Sequence, residues 1–353
     1  MQNLIIKHWL GFTLAIVSLL IFSACQNESR QESPEKPLHW EVVEAPTESS
    51  LRGLSVVTSD IIWASGSEGV WLRSVDAGST WSFGVVDGLD SVDFRSIHAF
   101  NAEEAIVVTA GQPARIYRTS DGGESWELKV EESEKAFFDG ISFADENRGY
   151  VFGDPVDGFW MIYQTLDAGL TWSLLDSLPQ AKEGEAGFAA SASSLLAQED
   201  NIWLGSGGRY SNIHHSPDRG KTWMVHPSPL IQGESSQGIF SMTYTKKGEL
   251  VAVGGDYLEP ESKKGNIGLF LTATMSWSED KTTGPSGYRS GVQYFPRFSW
   301  LIAVGPSGSD FSKDGGKTWE RFSDMPFHTV SLSTAAGSVW ASGPEGKIAK
   351  LLY

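Results

Sequence analysis

Only one cysteine, Cys25, occurs among 353 residues, and it lies in the N-terminal stretch. No disulfide framework and no cysteine-based metal spacing can be drawn from it, and a chain cleaved before it keeps no pair of thiols. Basic residues are also scarce, 27 Lys and Arg against 44 Asp and Glu, for a net charge of −17. That balance argues against nucleic acid, which needs a basic stripe, and against electrostatic attraction to an anionic membrane. His-Glu-x-x-His, Gly-x-Ser-x-Gly and a strand-following Gly-x-Gly-x-x-Gly are all missing, so no metal, serine nucleophile or nicotinamide cofactor is expected. His214 and His215 are adjacent, which puts them on opposite faces of a strand and makes them a poor chelate.

The N-terminus has a different composition from the rest. Lys7 and His8 precede an uncharged run from Trp9 to Phe22, followed by Ser23-Ala24-Cys25. At about 14 residues the run is too short to span a bilayer and reads as a signal peptide over 1–24. The sequence before Cys25 resembles a bacterial lipobox, which implies a lipidated Cys25 and a place in the cell envelope, outside the cytoplasm. Residues 25–38 are polar and contain proline, and read as a flexible tether.

Past the tether the chain is rich in Gly and aromatic residues and repeats one phrase, Ser/Thr-x-Asp-x-Gly-x-Ser/Thr-Trp. Its Asp and Trp are Asp76 and Trp81, Asp121 and Trp126, Asp167 and Trp172, Asp218 and Trp223, and Asp314 and Trp319. The Asp-to-Asp steps are 45, 46, 51 and 96. The last is two periods, and Thr274-Met275-Ser276-Trp277 marks a degenerate copy between them. A period in the forties built on turn residues predicts an all-β propeller with one four-stranded blade per repeat. Each copy reads as a hairpin in which Asp and hydroxyl oxygens accept turn amides, Gly takes positive φ, and Trp packs on a neighbouring blade.

Seven segments share this plan, beginning near Leu51, Phe94, Phe137, Gly187, Gln237, Tyr288 and Phe327. The last lacks a fourth strand, and Trp40-Glu-Val-Val-Glu has the pattern of one. Residues 39–353 are therefore expected to form a seven-bladed β-propeller closed by its N-terminal strand, with no open sheet edge.

The repeated phrase resembles the Asp-box, or BNR repeat, of sialidases, sortilin-type receptors and photosystem II assembly factors. Phe94-Arg-Ser-Ile, the Arg-Gly-Leu at Arg52 and Trp63-Ala-Ser-Gly-Ser bring the chain nearest to the Ycf48/HCF136-like group. That resemblance implies a non-catalytic assembly factor whose Arg-rich patch meets its partner, with Arg52, Arg95 and Arg289 at the matching positions. The extra acids and the degenerate fifth repeat depart from the group.

In a propeller, the loops opposite the box hairpins surround the central channel and commonly carry function. Blade starts put Arg52, Arg95, Asp139, Tyr288, Arg289 and His328 there, with Glu185 just before blade four. The loops between second and third strands add Asp154, Arg209, Asp256, Tyr257 and Ser307. Several guanidiniums around one opening suit a carboxylate, a phosphate or an acidic peptide through bidentate bonds. The plainer reading pairs each Arg with Asp139, Asp154, Glu185 or Asp256. A glycan-binding or sialidase-like hydrolase would draw on Asp139, Asp154, Glu185, Asp256 and Tyr288. The loop from Asp256 to Asn266 is long enough to form a rim element. The partner expected is an envelope protein or an acidic ligand met by a monomeric propeller, with the N-terminal lipid at the membrane.

Overall fold

The computed structural model describes residues 38–333 and 337–353. The expected signal peptide, Cys25 and residues 26–37 of the tether lie outside the described residues. Within them the chain forms strands and no helix, arranged in seven antiparallel sheets. Blade one is a meander of Leu51–Val56, Ile62–Gly66, Val70–Ser74 and Ser82–Val85. Blades two, three and six repeat it over residues 94–131, 138–174 and 291–323.

The ring closes as the sequence implies. His39–Val43 pairs antiparallel with Ile348–Leu352, from His39 opposite Leu352 to Val43 opposite Ile348. Trp40 is buried, its ring 5.1 Å from that of Phe327 and its Nε1–H donating to Ser309 Oγ of blade six at 2.9 Å. One strand from the start of the described chain thus seals the last blade and is pinned to the blade before it.

The box hairpins are built alike. Thr119 Oγ1 donates to Asp121 Oδ1 at 2.8 Å while accepting the Gly123 N–H at 3.0 Å. Asp121 then accepts the Ser125 N–H at 2.9 Å and the Ser125 hydroxyl at 2.5 Å. The turn needs two successive residues at positive φ, Ala77 and Gly78 in blade one (57° and 82°) and Gly122 and Gly123 in blade two (76° and 96°). A side chain at Gly123 would also strike Trp71, at 2.6 Å, so the glycine is needed for packing as well. Trp126, after the second box, meets Trp63 of blade one edge-on at 6.5 Å. Blade-to-blade contact therefore runs through tryptophan, with Trp63, Trp160, Trp203 and Trp340 fully buried.

Blade four departs from the predicted boundary. Its inner strand is Leu195–Gln198 and does not begin at Gly187. The preceding Glu185–Ala186 pairs with Gly207–Gly208, which bridges to blade five through Gly207 opposite Gly238. Two glycines make that contact possible, since a Cβ on Gly207 would lie 2.3 Å from Gln237 O. Residues 187–194 are consequently carried across the channel mouth, where Phe188 stacks on Phe240 at 3.8 Å and 10°.

Candidate functional site

Inner strands start at the channel mouth and run toward the box face, so the first side chains of several blades converge. They enclose a cavity of about 510 Å³ bounded by Arg52, Arg95, Asp139, Asp154, Tyr288 and His328. Tyr257, half-exposed in the rim loop, also reaches it. Phe137, Phe188, Ala189, Ala190 and Phe240 give the same cavity an apolar wall.

Arg95 is half-committed, its Nε–H donating to Asp93 Oδ2 at 2.7 Å. Arg52 makes no hydrogen bond or ion pair with any described residue. Burial and the neighbouring Arg95 hold its pKa below the usual arginine value, against the pull of Asp93 and Tyr288. His328 bonds Ser50 Oγ through Nε2 at 3.0 Å. Burial first, then Arg52 and Arg95, push it down to about 3, so it is a neutral imidazole at pH 7. Burial raises the Tyr288 phenol, which stays protonated.

The carboxyl side is equally unusual. Asp139 is 1% exposed and its Oδ2 has no hydrogen-bond partner among the described residues. Burial, then Asp154, raise its pKa well above the carboxylate range, with Arg95 opposing. Asp154 accepts the Gly187 N–H at 2.8 Å and is also shifted upward by burial. Neither acid is paired with an arginine; the ion pairs of the plainer reading form instead with Asp93, for Arg95, and Asp310, for Arg289.

Five predicted residues lie elsewhere or are already occupied. The expectation that Arg289 faces the opening is corrected: its side chain is fully buried against Asp310. Glu185 and Arg209 border a separate cavity of about 930 Å³ beside blade four. Glu185 there accepts from Asn212 Nδ2 at 2.9 Å, from the Lys182 N–H at 2.9 Å and from the Ser206 hydroxyl, and pairs with His214 Nε2 at 2.7 Å. Burial pushes Glu185 up, but His214 and these donors win and bring it to about 2. Asp256 is occupied by Gln237 Nε2 at 2.9 Å and the Leu258 N–H at 3.0 Å. Ser307 is drawn into the rim instead, donating to the carbonyl of Pro260 at 3.1 Å.

A family model described as photosynthesis system II assembly factor YCF48 matches residues 33–136. The photosystem II assembly lipoprotein Ycf48 of Synechococcus sp. (strain CC9902) is 23% identical over 67% of this chain and 66% of its own length, just under two thirds. A solved structure described as YCF48 bound to D1 peptide superposes with a TM-score of 0.64 at 18% identity, covering 91% of this chain and 98% of that one. The chain is a Ycf48-like propeller. The Ycf48 of Synechococcus sp. (strain JA-3-3Ab) is 25% identical over 62% of this chain and 86% of its own. A GH74 enzyme of Niastella koreensis shares the propeller fold, with a TM-score of 0.62 at 15% identity over 88% of this chain and 53% of that one. The Ycf48-like fold thus brings two guanidiniums, one wholly unpaired, to a cavity with an aromatic wall.

Proposed function

We propose that this Ycf48-like chain is a membrane-tethered lipoprotein of the bacterial envelope that binds a protein partner at its channel mouth, as an assembly or stability factor and without catalysis. The observation that carries the reading is Arg52, a partly buried guanidinium with no partner of its own. A desolvated cation is unfavourable alone and gains most from an incoming carboxylate. Arg95 offers its remaining N–H groups beside it, and Phe188, Phe240 and Tyr288 give an apolar side chain somewhere to pack. A peptide carboxylate flanked by an apolar residue matches both halves of the cavity. That a Ycf48 has been solved with a D1 peptide supports a peptide ligand for this relative as well.

A glycan-cleaving reading rests on Asp139 and Asp154. Glycosidase chemistry wants one carboxyl raised and the other left ionised. Here both are shifted upward, and Tyr288 is held protonated. These shifts favour the binding reading.

The test is affinity capture of the full chain from its native membranes beside an Arg52→Ala/Arg95→Ala variant of unchanged circular dichroism. A protein recovered with the wild type and lost with the variant is the expected result. Equal recovery with both, or none with either, overturns the proposal. Release of reducing sugar from envelope glycans would move the reading to the hydrolase.

A further inference from the structure

Opposite the mouth, the box face carries a second cluster of positive charge. Between blades five and six lies a cavity of about 370 Å³ bordered by Lys246, Lys247, Lys313 and Lys317. Glu249, Asp280 and Asp314 also border it. Asp280 is taken by Lys317 at 2.7 Å, and Asp314 by its own box, where it accepts the Thr318 hydroxyl at 2.6 Å. Lys246, Lys247 and Lys313 form no ion pair with a described residue, and the four lysines outnumber the three bordering carboxylates by one in a chain of net charge −17.

A second observation points to a ligand. Thr245, 9% exposed, lines this cavity, and its Oγ1 is enclosed with no hydrogen-bond partner among the described residues. The Tyr294 hydroxyl, in the same wall, is likewise enclosed and unpartnered. Buried hydroxyls without partners are uncommon and signal a missing donor or acceptor. The ammonium groups of Lys246, Lys247 and Lys313 suit the oxygens of a phosphate-type anion, with Thr245 and Tyr294 in the wall behind them.

The third observation is where the chain joins the propeller. His39–Val43 is an outer strand that runs from the box face to the mouth, so Leu38 sits on the box face. Leu38 belongs to one packed cluster with Phe298, Trp300 and Phe311. Lys313 Nζ lies 4.9 Å from the Trp300 ring and 5.1 Å from that of Phe311. The described chain therefore begins on the box face, in the same packed cluster that Lys313 borders.

We propose that the basic cavity binds the phosphate of an anionic lipid headgroup, seating the box face on the membrane and turning the mouth away from it. Overall charge opposes such contact, but screening over about 8–10 Å lets a local cluster act alone. This inference does not depend on what the mouth binds.

The test is lysine acylation, read by mass spectrometry, on the full chain in phosphatidylcholine vesicles with and without phosphatidylglycerol. Lys313 and Lys317 should label at least about fivefold more slowly in the anionic vesicles, given roughly the attraction of one lysine to such a surface. Lys135 and Lys264, in mouth-side loops, should label alike in both. In a Lys246→Glu/Lys247→Glu variant, altered only at exposed positions, the protection of Lys313 should disappear. Equal labelling in both vesicles overturns the proposal. So does equal protection by inorganic phosphate on phosphatidylcholine alone, which would make the ligand a soluble anion.

Discussion

Arg289 and Asp310 form an ion pair in which neither side chain is exposed, with Nε donating to Oδ2 at 2.7 Å. The same guanidinium donates through Nη1 to the Tyr288 carbonyl at 2.8 Å and to Ser307 Oγ at 2.9 Å. It thus braces the wall behind the mouth and offers nothing to a ligand. Removing one partner strands a buried charge, so Arg289→Ala should cost about 3–5 kcal/mol in urea unfolding. Arg289→Met with Asp310→Leu should recover most of that loss. Equal destabilisation in the single and double variants would refute the pairing argument.

Arg52 should behave oppositely. It has no hydrogen bond or ion pair to lose, so Arg52→Ala should cost well under the about 3–5 kcal/mol expected for Arg289→Ala. Binding of a carboxylate-ended peptide should weaken by about 10–100-fold, the worth of one or two charged hydrogen bonds. Arg52→Lys should not restore it, because an ammonium lacks the planar fork. Calorimetric titration measures both, and full affinity in Arg52→Lys would show that charge alone suffices.

Asp139 makes stability depend on pH. Its folded pKa lies well above the ordinary value of 3.8, which the unfolded chain has. Between that value and the folded pKa, only the folded state keeps the proton. Stability is therefore full below about pH 4 and declines as pH rises through that window. Asp139→Asn keeps a neutral side chain and should remove this slope. Urea midpoints measured from pH 4 to 8 in both proteins provide the check, and parallel curves would count against a raised pKa.

The fold could be read almost entirely from the repeat. Asp-box spacing marked the blades, and Trp40 marked the closing strand, because turn chemistry and period-two burial are local. What failed was non-local. Nothing near Arg289 in sequence tells that Asp310 will take it, since the pairing spans two strands and two turns. Gly187 looked like a blade start because Gly-Phe-Ala-Ala is apolar. It instead crosses the mouth, drawn by the contact of Gly207 with Gly238 and the stacking of Phe188 on Phe240. The apolar half of the cavity was missed for that reason, whereas Arg52, Arg95, Asp139 and His328 reach it from register alone.

The second box tests how far one hairpin matters. Asp121 takes three hydrogen bonds, from the Ser125 N–H, the Ser125 hydroxyl and the Thr119 hydroxyl. These, led by Ser125, hold its pKa down at about 2. Its ionised form therefore adds stability above about pH 4, and that part is lost as pH falls toward 2. Asp121→Ala should cost about 1–2 kcal/mol at neutral pH, since the turn is partly open to water. Asp121→Asn should cost less, because a carbonyl oxygen can still accept the Ser125 N–H, and it should remove the acid-side loss. Blade five shows that a blade can form without the motif: Thr274 and Ser276 share one hydroxyl contact at 2.9 Å, and Phe270 still pairs with Trp277. A global collapse on Asp121→Ala would mean that the boxes act together around the ring and not blade by blade.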